Sequence, residues 1–487
     1  MKRLLSILSL LTLSIILSAC ATNPANKKTD FVLMSESQEL KLGQQLSLMV
    51  AKQMPLLPKD DPLVIYVNKI GQQVAVTSDR PELFYRFHVV DDGTINAFAL
   101  PGGYIYVHRG LLAQFNSEAE LAAVLGHEIG HVTARHAVQR YTQAQAYNIG
   151  MTVTSIFVPI PQAAANLSSL LAQSIILGYG REQELESDEL SLRYLSKSGY
   201  DPSATIRLLE TLERHDAINK KEKTDAGEKV KSYHGAFSSH PETKKRIQQA
   251  VAKESLIQKE GMNRVGKEPM LAALGGYPLK DSSKDGAVVG QRFLHPVLGI
   301  QLKFPENWII KNSPATLTAR LRQEKVYFMM GLKELQKRQS AEEILRSLFP
   351  SRHTGAITTG KHDGYPYARS MIMASAPHVS KAAIDVSVFL DGPKAFIIML
   401  YSQRNEEGKY QTQFNQIRDS FRHYDVAKDG DVPKIRIDIW RQGDSWEKVA
   451  KRGNHILGRF TAEKLAALNG MDVDKLPAPG TLIKNVQ

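Results

Sequence analysis

The chain has 487 residues, 43% of them hydrophobic, which is enough for about three domains. Its formal charge is +12, but no basic stretch interleaved with aromatics accompanies that excess, so nucleic acid is not an expected partner. The single cysteine excludes an intrachain disulfide.

Met1-Lys2-Arg3 opens the chain with positive charge, and an apolar run over 4–17 and Ser18-Ala19-Cys20 follow. That order is the order of a secretory signal, and the run is short for a membrane span, so 1–19 are expected to be a signal peptide. Leu17-Ser18-Ala19-Cys20 resembles a bacterial lipobox. The resemblance implies that Cys20 becomes the lipidated first residue of the mature chain and ties it to a membrane. A plain secretory signal is disfavoured, because the chain's only cysteine stands at the cut. Ala21 follows, where an aspartate would resemble an inner-membrane retention signal, which points to the outer membrane facing the periplasm. Residues 20–32 are polar and read as a lipidated tether. Loss of Lys2 and Arg3 leaves about +10, which suits a plain basic periplasmic protein or one drawn to anionic wall or membrane surfaces.

Residues 33–255 are mostly helical in pattern, with a strand pair near 84–107. Ser117 with Glu120 three residues on reads as a capping box, and Leu121, Val124 and Leu125 follow at helical spacing. This helix carries His127-Glu128-Ile129-Gly130-His131, an H-E-x-x-H motif. Histidines at i and i+4 share one face, so both imidazoles reach one tetrahedral metal ion. Glu128 projects beside the metal, where it can take a proton from the attacking water.

Catalytic zinc needs a third protein ligand. His136 points off the metal face, and Ala134 and Ala137 stand where a longer three-histidine motif would need Gly and His. The ligand is therefore expected from another helix, where Glu184 and Asp188 again lie at i and i+4. Glu184 can ligate, and Asp188 can orient a ligand histidine through its other ring nitrogen. Glu182, Glu186 and Glu189 read as a solvated acidic face. The apolar stretch 147–179 is cut by Pro159 and Pro161 and is too short on either side to span a membrane. It reads as two helices beside the cleft, serving as a lid or as ordinary core.

Taken together, H-E-x-x-H at 127–131 and Glu184-x-x-x-Asp188 resemble peptidase family M48, the HtpX and CAAX-prenyl-protease type of gluzincin, in its periplasmic lipoprotein branch. Three other stretches support this. Asn96-Ala97-Phe98-Ala99-Leu100-Pro101-Gly102-Gly103 resembles the strand placed before the metal helix. Arg135-His136 follows that helix as in the family, and Ser239-His240-Pro241 with Arg246-Ile247 resembles a downstream element. The resemblance covers roughly 33–255. It implies a mainly α zincin-type peptidase domain with a small β-sheet and one zinc ion per chain, held by His127, His131 and Glu184, with Glu128 as base. The edge of Asn96, Ala97, Phe98 and Ala99 is expected to receive an extended peptide substrate. His240, kept out of the next helix by Pro241, would stabilise an oxyanion or occupy zinc's fourth position as a regulatory ligand. The alternative is a surface histidine before a helix.

Lys, Glu, Gly and Ser clusters mark 256–287 as a linker. Residues 288–425 show short β-rich runs at 300–304, 326–332, 383–389 and 395–400, with helices at 341–348 and 410–421, and read as an α+β accessory domain. Residues 432–487 carry Gly443-Asp444-Ser445-Trp446, Asn469-Gly470 and Pro479-Gly480 between apolar runs. This pattern resembles a LysM-like βααβ module, which implies peptidoglycan-type glycan as a partner. A longer spacing over 452–460 sets a packing role beside it.

The expectation is a multidomain, lipid-anchored zinc endopeptidase that acts on unfolded or misassembled envelope proteins. The alternative is a non-proteolytic or latent assembly factor that binds wall glycan or outer-membrane machinery.

Overall fold

The computed structural model describes residues 20–32, 34–143, 178–225, 243–257, 261–279, 284–313, 316–349, 355–406, 408–430, 432–453 and 461–487. The expected signal peptide, His240, and all but the last two residues of 147–179 lie outside the described residues. Among those described, no helix is long and apolar enough to cross a membrane.

Residues 20–32, expected to be a polar tether, hold a hairpin. Strands β1 (Cys20–Thr22) and β2 (Thr29–Phe31) pair antiparallel, with Thr22 opposite Thr29. Asn23 closes the turn by accepting the Ala25 N–H at 2.9 Å, and its amide donates to Asp30 at 2.8 Å and to the Ala134 carbonyl at 3.2 Å. The polar composition of 20–32 suggested solvation. Its side chains instead satisfy backbone groups, their own and those of the body.

Helix α1 (Glu36–Gln53) starts with a Ser35–Gln38 capping box. Helix α2 (Pro62–Ala75) starts with Asp61 as N-cap and proline at the first position. Strands β3 (Arg86–Val90), β4 (Ala97–Leu100) and β5 (Tyr104–His108) form a sheet in the order β3-β5-β4. β3 pairs parallel and β4 antiparallel with β5, so the expected strand pair is a three-stranded sheet with β4 at one edge.

Helix α3 (Glu118–Thr133) carries the H-E-x-x-H motif and is buried over all 16 residues. Its Ser117 cap accepts the Glu120 N–H at 3.2 Å, as the motif predicts. Glu120 departs from the expected box, because its carboxylate accepts the Asn116 N–H at 2.7 Å and not that of Ser117. Helix α4 (Arg181–Lys197) lies along α3, with helices α5 (Ala204–Asp225) and α6 (Thr243–Glu254) beside it. Small residues set the α3–α4 approach. A Cβ on Gly126 would stand 3.1 Å from Ser191 Oγ, and one on Gly130 would stand 3.2 Å from Ser187 Cα. Ser191 donates across this seam to the Ala123 carbonyl at 2.7 Å.

The segment expected to be a linker contains helix α7 (Lys267–Leu274), whose Met270, Leu271 and Leu274 are fully buried. After it, the chain runs beside the C-terminal module. Gly276 N–H donates to Ile435 O, Ile435 N–H to Tyr277 O, and Leu279 N–H to Pro433 O, at 2.8–3.0 Å. The α+β domain is therefore inserted where 279 and 433 meet.

That domain holds two antiparallel sheets. The first takes β6 (Ala287–Val289), β7 (Arg292–His295), β8 (Ile300–Lys303) and the late β16 (Arg422–His423). The second joins β9 (Trp308–Ser313), β10 (Thr316–Leu321), β11 (Tyr327–Glu334), β12 (Thr358–His362), β13 (Tyr365–Ala376), β14 (Val379–Asp391) and β15 (Lys394–Gln403). Helices α8 (Ala341–Leu348) and α9 (Gln411–Asp419) stand where the pattern placed them. Phe293, Trp308, Phe328, Phe396 and Phe421 form its own core.

Strand β17 (Ile435–Ile439), helices α10 (Trp446–Arg452) and α11 (Thr461–Leu468), and strand β18 (Leu482–Val486) give the expected βααβ order. Trp440, Trp446, Leu465 and Ile483 share one apolar core with α2, α3 and α5. Lys484 is fully buried and donates to the Ala113 and Phe115 carbonyls at 2.7 and 2.9 Å, just ahead of α3. Burial pulls its pKa down to about 7, and the nearby Glu120 carboxylate works the other way. The module is thus a buttress for the N-terminal end of the motif helix.

His295, at the end of β7, gives the inserted domain a pH response. It is 8% exposed, and its Nδ1 accepts the Leu298 N–H at 3.2 Å, a role only the unprotonated nitrogen fills. Burial lowers its pKa to about 4. Between about 4 and the ordinary 6.5 the unfolded chain binds a proton that the folded domain refuses. Stability therefore falls as pH drops through that window. His295→Gln keeps an acceptor and removes the titration, so its melting temperature should fall less than the parent's on acidification; equal falls would refute the assignment.

Candidate metal centre

His127 and His131 turn their Nε2 atoms toward one point, 3.0 Å apart. Glu184 of α4 brings Oε2 to 3.4 Å from His127 Nε2 and Oε1 to 3.6 Å from His131 Nε2. Two nitrogens and a carboxylate with these separations can hold a metal ion. Metal–ligand bonds of about 2.0–2.2 Å in a tetrahedron put donors roughly 3.3–3.6 Å apart, and the cluster is close to that size. All three residues are buried, as the small-residue seam between α3 and α4 dictates.

The other ring nitrogen of each histidine fixes its orientation. His127 Nδ1 lies 2.9 Å from Asp188 Oδ1. Asp188 receives Nε and Nη2 of Arg246, both at 2.7 Å, and Arg246 Nη1 reaches Glu184 at 3.2 Å. Burial alone would raise the Asp188 pKa, but Arg246 outweighs it and holds the carboxyl below its ordinary range. Burial would likewise lower the His127 pKa, but Asp188 and Glu184 push it up to about 9. A metal ion therefore competes with a proton for this cluster.

His131 is fixed differently from what its sequence neighbours suggest. His136, expected off the metal face, places Nδ1 2.8 Å from His131 Nδ1. Arg135 turns the chain back with φ +56°, a left-handed conformation that costs a non-glycine residue roughly 1–2 kcal/mol. Glu39, 1% exposed, holds Arg135 there by accepting its Nε at 2.9 Å. Glu186, expected on a solvated face, meets His136 Nε2 at 3.2 Å. Glu182 and Glu189 are exposed, as expected.

Glu128 is fully buried beside the cluster, and its charge bears on Tyr179 and Arg246. Tyr179 stacks on the His131 ring, with centroids 3.9 Å apart and planes 17° apart. Burial first, then the Glu128 carboxylate, push the Tyr179 phenol above its ordinary pKa. Its hydroxyl donates to the Ala99 carbonyl at 3.4 Å. Asn96, Ala97, Phe98 and Ala99 are all buried, so the strand edge expected to lie open is covered in this structure. Tyr179 left no mark in sequence, because it does not stand at a fixed distance from the motif.

Histidines one turn apart, a glutamate from a second helix and an aspartate behind the first histidine define a metallopeptidase site of the gluzincin type. Residues 65–254 match the model of peptidase family M48, and the chain carries a domain of that family. Three relatives are each similar to part of this chain. The mitochondrial metalloendopeptidase OMA1 of Schizosaccharomyces pombe is 32% identical over 198 residues, covering 39% of this chain and 53% of that protein. The beta-barrel assembly-enhancing protease of Yersinia pestis is 32% identical over 193 residues, covering 37% and 38%. The OMA1 of Arabidopsis thaliana is 34% identical over 179 residues, covering 37% and 33%. The chain thus spans about half or less of the length of these relatives.

If Glu184 completes the cluster, Glu184→Ala should lose more metal affinity than the roughly 10–100-fold that loss of an outer partner costs. The exposed neighbour change Glu182→Ala should leave metal content at the parent level. Full metal content in Glu184→Ala would show the third ligand to be elsewhere.

Proposed function

We propose that this chain is a zinc-dependent endopeptidase, held by an N-terminal lipid in the bacterial envelope, that hydrolyses unfolded or misassembled envelope proteins. The observation that carries the reading is the convergence of His127, His131 and Glu184 beside the buried Glu128, within the region that matches peptidase family M48. The envelope substrate class rests on the similarity to a protein named for beta-barrel assembly.

His127, His131 and Glu184 hold the zinc, which when bound supplies Lewis acidity toward the scissile carbonyl and the attacking water. Glu128 accepts the water's proton and returns it to the leaving amine. Asp188, clamped by Arg246, keeps the His127 Nε2 lone pair turned to the metal. An extended substrate adds along β4 by main-chain hydrogen bonds, which gives binding with little side-chain selectivity. Tyr179 leaves the Ala99 carbonyl when that happens. The C-terminal module serves the enzyme as a brace.

Two experiments test this. Glu128→Gln should bind zinc as the parent does and cleave an unfolded protein about 10²–10⁴-fold more slowly. Undiminished cleavage would refute Glu128 as the base, and a zinc-loaded parent that cleaves no more than this variant would favour the non-proteolytic assembly role. For the anchor, Cys20→Ser should move the protein from the membrane fraction to the soluble periplasm and abolish acyl labelling. Labelling that persists would refute the lipid assignment.

A further inference from the structure

The two site histidines are held by different means. His127 meets its carboxylate, Asp188, directly. His131 meets an imidazole, His136, and the carboxylate of Glu186 stands one step behind. Behind Glu186 stands Asn26 of the N-terminal hairpin, whose amide donates to Glu186 Oε1 at 2.7 Å.

The protons along this line have one consistent arrangement. If His131 offers its Nε2 lone pair to a metal, its Nδ1 carries the hydrogen and donates to His136 Nδ1. His136 Nδ1 is then an acceptor, so its hydrogen sits on Nε2 and donates to Glu186 Oε2 at 3.2 Å. Glu186 accepts on both oxygens, from His136 and from Asn26. Every donor meets an acceptor, and no ring need be charged. Both imidazoles are buried, His136 completely, so water is no substitute for these partners.

The hairpin is fastened at this spot. Asn23 donates to the Ala134 carbonyl, which the α3 helix leaves without an intrahelical partner, and Gln139 donates to the same carbonyl at 3.1 Å. Gln139 also donates to Asp30 of the hairpin at 2.8 Å and accepts from Gln183 of α4 at 2.9 Å. The hairpin therefore bridges the C-terminal end of α3 and the first turn of α4, the two places that present His131 and Glu184.

We propose that His136 and Glu186 are positioning residues for His131, and that Asn26 holds Glu186, so the second metal-binding histidine is oriented from the chain's N-terminal hairpin. The inference rests on the metal-site reading above. It makes docking of residues 20–32 a condition for tight metal binding. It also makes the Asn26–Glu186 contact a place where a pull on the N-terminus would reach the metal.

The test measures zinc affinity of the full-length mature chain by chelator competition, and the visible spectrum of its Co²⁺ form, which reports ligand geometry. Glu186→Leu should weaken zinc by about 10–100-fold and change the Co²⁺ spectrum. Glu186→Gln, which keeps one acceptor for His136, should recover most of both. Asn26→Ala, at the hairpin surface, should weaken zinc less but in the same direction, and Glu182→Leu on the exposed face of α4 should match the parent. Parent-like affinity and spectrum in Glu186→Leu would overturn the proposal, as would an equal loss in Glu182→Leu. If Glu186→Leu does not fold, Asn26→Ala decides, and parent-like zinc affinity there overturns it. A parent that binds zinc but cleaves nothing would sink the protease reading and leave this one standing; a parent that binds no zinc would sink the metal site itself.

Discussion

The close approach of α3 and α4 is the constraint on which the site depends. Gly126 and Gly130 face Ser191 and Ser187, and their missing Cβ atoms leave room for the second helix backbone. The functional groups fall on the same seam. His127 and His131 each stand one residue after a glycine of α3, and Glu184 lies three residues before Ser187 and Asp188 one after it, within a turn. A larger side chain at either glycine would force the helices apart at a cost of about 1–3 kcal/mol. It would also move the glutamate away from the histidines. Packing and metal geometry are thus one requirement here, and α3 is buried along its whole length because it serves both.

Burial of so much charge sets the second requirement. Asp188 and Glu184 lie in the interior, each within hydrogen-bonding reach of the buried Arg246. Removing one member of such a set leaves a charge uncompensated, at a cost of about 3–5 kcal/mol. Arg80 ties α1 to the same region, donating to Glu39 at 2.9 Å and to Glu36 at 2.6 Å. Glu39 in turn holds Arg135, whose left-handed turn brings His136 under His131. These networks are costly unless every member is satisfied. They fix one arrangement of the site, where an apolar interior would tolerate several.

The chain's order and its spatial order differ in the C-terminal half. The α+β domain has its own core, but it is inserted into a unit that also contains α7, β17 and β18. That unit closes on the peptidase region through Lys484 and a shared apolar core. The start of α3 is therefore braced by β18, and its end is capped by the hairpin of residues 20–31.

The sequence by itself determined the chemistry. The i, i+4 histidines, the glutamate between them and the Glu184–Asp188 pair were legible because helical periodicity states which side chains share a face. Ser117 as cap, helix 341–348 and the β-rich runs were legible for the same local reason. Only the tertiary structure decided the partners. Arg135 takes a positive φ that its side chain does not announce, and this alone brings His136 to His131. Glu186 looked solvated because its partners, His136 and Asn26, lie 50 and 160 residues away in the chain. The stretch 256–287 looked like a linker because helix 267–274 finds its apolar surroundings in distant elements. Periodicity fixes the direction in which a side chain points; what it meets there is set by long-range packing, which no local pattern encodes.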